Sequence, residues 1–134
     1  MTLEEAKRIF KADRYAIELI GIEIVKVGEH ESVCTMAVDG RHRTARGAVM
    51  GGAIYTLADF AAAVAANSDC QEGSELRWVS LDATVHYLSP ALGDNLTAQS
   101  IALKHGRSTA LYQTVVTCQG RKVAVVETTM VNVG

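Results

Sequence analysis

The spacing of apolar residues changes period along this chain, from helical to alternating, then back to helical before a long final run of alternation. Near the amino terminus Leu3, Ala6, Ile9 and Phe10 form one stripe and Tyr15, Ala16, Leu19 and Ile20 another. That pattern predicts helix over 3–20, in one piece or two, stopped by Gly21. Ile22 to Val27 and Ser32 to Val38 read as short strands joined by the polar turn Gly28-Glu29-His30-Glu31. Residues 39–47 are polar and basic, hence a loop.

A helix over roughly 51–67 follows, led by Gly51 and Gly52 and rich in alanine. Ile54, Leu57, Ala58, Ala61, Ala62 and Ala65 give it a broad apolar stripe, and Ala63, Val64 and Ala66 opposite are apolar too. The pattern predicts enclosure nearly all round. Asp59 is the only acid in it, and a carboxylate taken out of water needs a partner or a purpose.

Beyond a polar connection over 67–77, Val79, Leu81, Ala83, Val85 and Tyr87 alternate with Ser80, Asp82, Thr84 and His86, a period of two. That alternation puts Ser80 on one face with Asp82, Thr84 and His86. Pro90 ends the strand and residues 91–94 make a turn. Asn95 to Lys104, Thr109 to Gln119 and Lys122 to Val133 complete three more strands on tight connections, which predicts an antiparallel meander of all four. The class is α+β, with an antiparallel sheet curled around one long central helix after a short amino-terminal helical segment. An uncovered sheet edge predicts pairing with a second copy, as a homodimer.

Composition narrows the function classes. A chain of 134 residues, 49% hydrophobic and 21% charged, suits one domain over 1–134. The formal net charge of −2 gives no electrostatic case for nucleic acid or an anionic membrane. Residues 1–8 lack the apolar core of a signal peptide, and the apolar run over 51–66 is too short and interrupted to span a bilayer. Cys34, Cys70 and Cys118 are far apart and odd in number, which fits reduced thiols in a cytoplasmic protein. His30, His42, His86 and His105 show no metal-ligand spacing, so no metal is expected.

Two groups can carry chemistry. The Gly51 and Gly52 amides open a helix, lack intrahelical acceptors, and sit at the positive end of its dipole, where they can hold charge developing on a carbonyl oxygen. Asp59 can act as general base on water or attack directly. Asp59 follows Gly51 by about 12 Å along a helix rising 1.5 Å per residue, too far for one carbonyl to meet both. A two-fold dimer would bring Gly51 of one subunit to Asp59 of the other. Arg41, Arg43, Arg46, Lys104, Arg107, Arg121 and Lys122 are candidate phosphate contacts.

The run Gly47-x-x-Met50-Gly51-Gly52 followed by Leu57-Ala58-Asp59 resembles the signature of hotdog-fold acyl-CoA thioesterases of the PaaI-like, phenylacetate-pathway type. Ser80 to Ala91, Gly93-Asp94, Gly106-Arg107-Ser108 and 120–124 resemble later blocks of that family. The resemblance implies a hotdog domain that hydrolyses an acyl- or aryl-CoA, coenzyme A being part of the substrate and no cofactor needed. It implies a site shared between subunits, with Asp59, the Gly51 amide and a water-orienting Ser80 as its catalytic groups. It places Thr44, Met50 and Gly52 at the loop and helix start, and Gly106, Arg107 and Ser108 beside the nucleotide. Tyr55 is expected in the acyl pocket. Thr44 and Met50 stand where the family has Asn and His, which favours the alternative of a non-catalytic acyl-CoA or lipid-binding module. Dimer and tetramer both remain open.

Overall fold

The computed structural model of the chain describes residues 1–134. Helix α1 spans Leu3–Phe10, fixed by a capping box in which the Thr2 side chain accepts from the Glu5 amide and Glu5 reaches back to Thr2. Glu4 and Glu5 in its first turn and Lys7 and Arg8 in its last complement the helix dipole. A separate π-helical segment, Tyr15–Ile20, ends at Gly21, whose φ of 83° makes the left-handed cap. The amino-terminal helix thus comes in two pieces.

Strands β1 (Ile22–Gly28), β2 (Glu31–Ala37), β3 (Trp78–Tyr87), β4 (Asn95–His105), β5 (Thr109–Cys118) and β6 (Arg121–Asn132) form one antiparallel sheet. Their order is β1-β2-β4-β5-β6-β3. The sheet curls around helix α2, Gly51–Ala66. Ala58, Ala61, Ala62, Ala65 and Ala66 are completely buried, and their small side chains let the strands come close. Ser32 takes advantage of that approach: its Oγ donates to the Ala61 carbonyl at 2.6 Å. Phe10 stacks edge-on against Phe60 at 5.6 Å, which docks α1 on the same core.

Three expectations change. The meander holds for β4, β5 and β6, where Gln119 and Gly120, both at positive φ, make the β5–β6 hairpin turn. Strand β3 instead pairs with β6 at the far edge, and residues 88–94 carry the chain back across the sheet end to β4. Proline and glycine mark where a strand stops, but the partner of the next strand is a tertiary choice. Second, α2 is not enclosed all round, because Gly52, Tyr55, Thr56, Asp59 and Ala63 form one incompletely covered stripe. That stripe runs beside the β3 edge. Third, a bulge between Ser80 and Asp82 resets the alternation of β3. Ser80 turns toward Asp59 on α2 while staying exposed, and Leu81 is left 64% exposed.

Asn67 locks β3 to the end of α2. Its Nδ2 donates to the Ala63 and Trp78 carbonyls, and its Oδ1 accepts from the Arg77 and Trp78 amides. Asn67→Ala would strand several of these groups away from water, at roughly 1–3 kcal/mol apiece. Urea denaturation should therefore show a loss of at least about 2 kcal/mol; a loss below about 1 kcal/mol would contradict this account of the junction.

Candidate active site

The open stripe of α2 carries the chemistry. Asp59 projects from its centre, and its Oδ1 accepts a hydrogen bond of 3.2 Å from Ser80 Oγ, delivered by the β3 bulge. Ser80 Oγ also lies 3.6 Å from the sulfur of buried Met130. No Lys, Arg or His comes within ion-pair reach of Asp59. Burial pushes the Asp59 carboxyl above its ordinary range; the Ser80 bond pulls it partly back, and the Asp13 charge pushes it up further. Tyr55, a turn before Asp59 on the same stripe, is held protonated by its own burial and by the Asp59 charge.

At the start of the helix, Met50 is the N-cap without a side-chain cap bond, which leaves the Gly51 and Gly52 amides free of local competition. Tyr87 closes over this end, its hydroxyl donating to the Gly51 carbonyl at 2.9 Å. A Cβ added at Gly51 would lie 3.0 Å from the Tyr87 ring, so glycine is what permits the close approach. A cleft of about 430 Å³ opens beside Gly51, lined by Ile54, Tyr87, Leu88 and Pro90 among others. Met50 is 52% exposed at the same end. The Thr44 hydroxyl accepts from the Arg46 amide at 3.2 Å and so braces its own turn.

The third group lies at the opposite end of the molecule. Gly106, Arg107 and Ser108 form the β4–β5 turn, pinned by Gly106 N to Thr109 O and Asn132 N to Ser108 O, both 2.9 Å. Gly106 and Arg107 line a second cleft of about 460 Å³ with Arg77, Trp78 and Asn132. The fold therefore unites Asp59 with Ser80, and gathers Met50, Gly51 and Gly52 in a separate place. Within one chain it does not bring Gly51 to Asp59.

Other cations are engaged elsewhere. Arg41 bonds Asp39 and the Leu19 carbonyl, and Arg43 bonds Asp94 and the carbonyls of Gly47, Leu92 and Gly93. They hold the loop before α2 in shape. Arg46, Arg107, Arg121 and Lys122 stay exposed. Tyr87 was not legible as part of the site, since its alternation marks only a strand residue and its contact with Gly51 spans 36 positions.

A carboxylate bonded to a strand hydroxyl on the open side of a sheet-wrapped helix places the chain among proteins of the hotdog fold. Comparison with known proteins agrees. The family model described as Thioesterase superfamily matches residues 46–125. Acyl-coenzyme A thioesterase PaaI of Escherichia coli (strain K12) is 30% identical over 120 residues, covering 89% of this chain and 81% of that protein. The structure of the E. coli PaaI protein from the phenylacetic acid degradation operon superposes with a TM-score of 0.87 at 25% identity, over 100% of this chain and 97% of the other. A hypothetical thioesterase protein with coenzyme A from Streptococcus pneumoniae TIGR4 gives a TM-score of 0.81 at 26% identity, covering 96% of this chain and 97% of that one. The chain belongs to the thioesterase superfamily and is a thioester hydrolase.

Two measurements follow from the Asp59 environment. Its folded-state pKa is raised, so its contribution to stability is full below the ordinary carboxylate range and is lost as pH rises through the folded value. At pH 7 Asp59→Asn should melt no lower than the parent; a clearly lower melting temperature would make Asp59 a structural residue. Ser80→Ala removes the bond favouring the charged form, so the Asp59 carboxyl, followed by carbon-13 NMR, should titrate higher than in the parent. An unchanged or lowered titration would show that Ser80 does not hold the carboxylate.

Proposed function

We propose that this chain is an acyl-CoA thioesterase, and that Asp59 of one subunit and the Gly51 amide of a second form each site. What carries the reading is Asp59 itself, a half-buried acid without a cation, held at a cost to the fold by one hydroxyl. Such a group is poorly explained by stability and well suited to accepting a proton.

The chemistry follows from the groups present. Asp59 takes a proton from water as the oxygen attacks the thioester carbonyl, with Ser80 fixing the carboxylate and the water near it. The carbonyl electrons move onto oxygen, which the Gly51 amide and the helix dipole receive. The carbon–sulfur bond then breaks, free acid forms, and the departing thiolate recovers the proton. Direct attack by Asp59 would give an anhydride that water opens, and both routes require the same carboxylate. The cleft beside Gly51, with Met50 and Tyr55 nearby, suits an apolar acyl or aryl group. Arg107 at the β4–β5 turn suits a phosphate of the coenzyme.

A homodimer is favoured by two observations. Strand β3 is an edge strand with Val79, Leu81 and Tyr87 exposed, Leu88 just beyond it is exposed too, and the open stripe of α2 runs beside it. Pairing there would cover both and supply the missing half of the site. A cytoplasmic location belongs to the same reading, supported by three free thiols, Cys34, Cys70 and Cys118.

Thiol release from acyl-CoA substrates tests the reading. Asp59→Asn should lower kcat by at least about 100-fold, in keeping with the loss of general-base catalysis. Gly51 occupies the first helical position, where proline is tolerated, and Met50 before it already has an extended backbone. Gly51→Pro therefore deletes the amide hydrogen, while Gly51→Ala adds a Cβ and keeps it. The proline variant should fall about 100-fold or more below the alanine variant in kcat. Mixing Asp59→Asn with Gly51→Pro subunits should restore one intact site per mixed dimer. Equal activity of the two Gly51 variants would remove the amide from the mechanism, thiol release unchanged in Asp59→Asn would remove Asp59 from it, and no thiol release by the parent would leave the non-catalytic acyl-CoA-binding reading.

A further inference from the structure

Beyond the carboxyl end of α2, away from Asp59, three chain segments bring together side chains that the sequence holds far apart. His30 lies in the β1–β2 turn, Asp69 just after α2, and His105 at the end of β4. Their ligand-capable atoms all lie within 4.8 Å of one another. The two imidazoles stack, with centroids 3.7 Å apart and planes 14° from parallel. We propose that His30, Asp69 and His105 form a binding site for one divalent first-row transition ion, with zinc as its natural class.

The donor set matches that chemistry. Two imidazoles and one carboxylate are borderline-to-hard ligands, suited to Zn²⁺ and its neighbours rather than to Mg²⁺ or Ca²⁺, and three protein ligands leave a position for water. A tetrahedral ion about 2.0–2.1 Å from each donor needs donors about 3.3–3.4 Å apart. Imidazole lone pairs lie in the ring planes, so the stacked rings cannot aim at one ion; with His105 held by Tyr112, His30 must swing out of the stack until the centroids are about 5 Å apart, and Asp69, which is exposed, must swing inward. Both movements are side-chain movements.

The backbone beneath them is already fixed. His30 sits at φ 53°, its amide donates to Ser68 Oγ at 2.8 Å, and its carbonyl accepts from the Ala102 amide at 3.1 Å. Ser68 in turn precedes Asp69. On the other side, His105 Nδ1 lies 2.8 Å from the hydroxyl of buried Tyr112, with Trp78 packed on the ring at 4.5 Å. With Nδ1–H donating to Tyr112, the lone pair falls on Nε2, the arrangement in which an outer partner orients a metal-ligating histidine. Asp69 and His105 also line the 460 Å³ cleft, which gives an ion a path in. Bound there, the ion would tie the β1–β2 turn, the α2–β3 connection and the β4–β5 hairpin together.

The inference does not rest on thioester hydrolysis, and its test reads binding. Full-length, tag-free protein stripped with a chelator is titrated with Co²⁺, followed by visible absorption, and then with Zn²⁺ in competition. One Co²⁺ per chain should bind with a visible d–d band that Zn²⁺ abolishes, and Zn²⁺ should raise the melting temperature. His30→Asn, which keeps a residue tolerant of the left-handed turn, Asp69→Asn and His105→Ala should each weaken binding by more than about tenfold. His86→Ala, on the outer face of β3, should leave it unchanged. The proposal fails if no stoichiometric band appears, if the band survives in the His30→Asn/His105→Ala double variant, or if it shows thiolate charge transfer from Cys70.

Discussion

The close fit between an alanine-rich helix and a curled antiparallel sheet underlies the rest of this structure. Alanine leaves the helix surface nearly smooth, so strand side chains such as Met36, Leu96, Val116 and Val126 fill the space between, and all four are fully buried. Bulkier residues on α2 would hold the sheet away and break contacts such as Ser32 to Ala61. The wrap is incomplete, because six strands run out at β3 before the helix is fully covered. Asp59 lies on the stripe left open.

That position explains the electrostatics. A carboxylate fully exposed would titrate like any aspartate, and one fully enclosed would be neutral or absent. Asp59 is half-buried, with a single hydroxyl to favour its charged form, so desolvation prevails over the hydrogen bond. The bulge in β3 makes this possible by turning Ser80 toward Asp59 without disturbing Ala83 and Val85, which still pack on the core. A regular strand would have pointed Ser80 outward and left the acid with no partner.

The loop before the helix works by backbone geometry more than by side chains. Arg43 threads the loop to the Gly93–Asp94 corner, Thr44 braces a turn, and Met50 begins the helix without capping it. In the proposed reaction the polar groups at this end are amide hydrogens, which does not require Thr44 or Met50 to be polar. The Thr44 hydroxyl is engaged by the Arg46 amide, and the Tyr87 hydroxyl donates to the Gly51 carbonyl.

Much of this was legible in the linear chain. Apolar spacing located both helical regions and all six strands, since each period reflects which side of an element meets the core. The glycine pair, the lone Asp59 and the Ser80 block were visible with their spacing, and so was the distance that separates Gly51 from Asp59 along one helix. Periodicity could not show where β3 goes, because the same turn residues serve a hairpin and a crossover. Nor could it show the turn of Ser80 toward Asp59, since a one-residue bulge reverses every alternation before it without leaving a mark in composition. The pairing of Tyr87 with Gly51, the uncovered stripe of α2, and the meeting of His30, Asp69 and His105 are contacts across dozens of positions. They were decided by the tertiary structure, because sequence records the preferences of each segment while only packing decides which segments become neighbours.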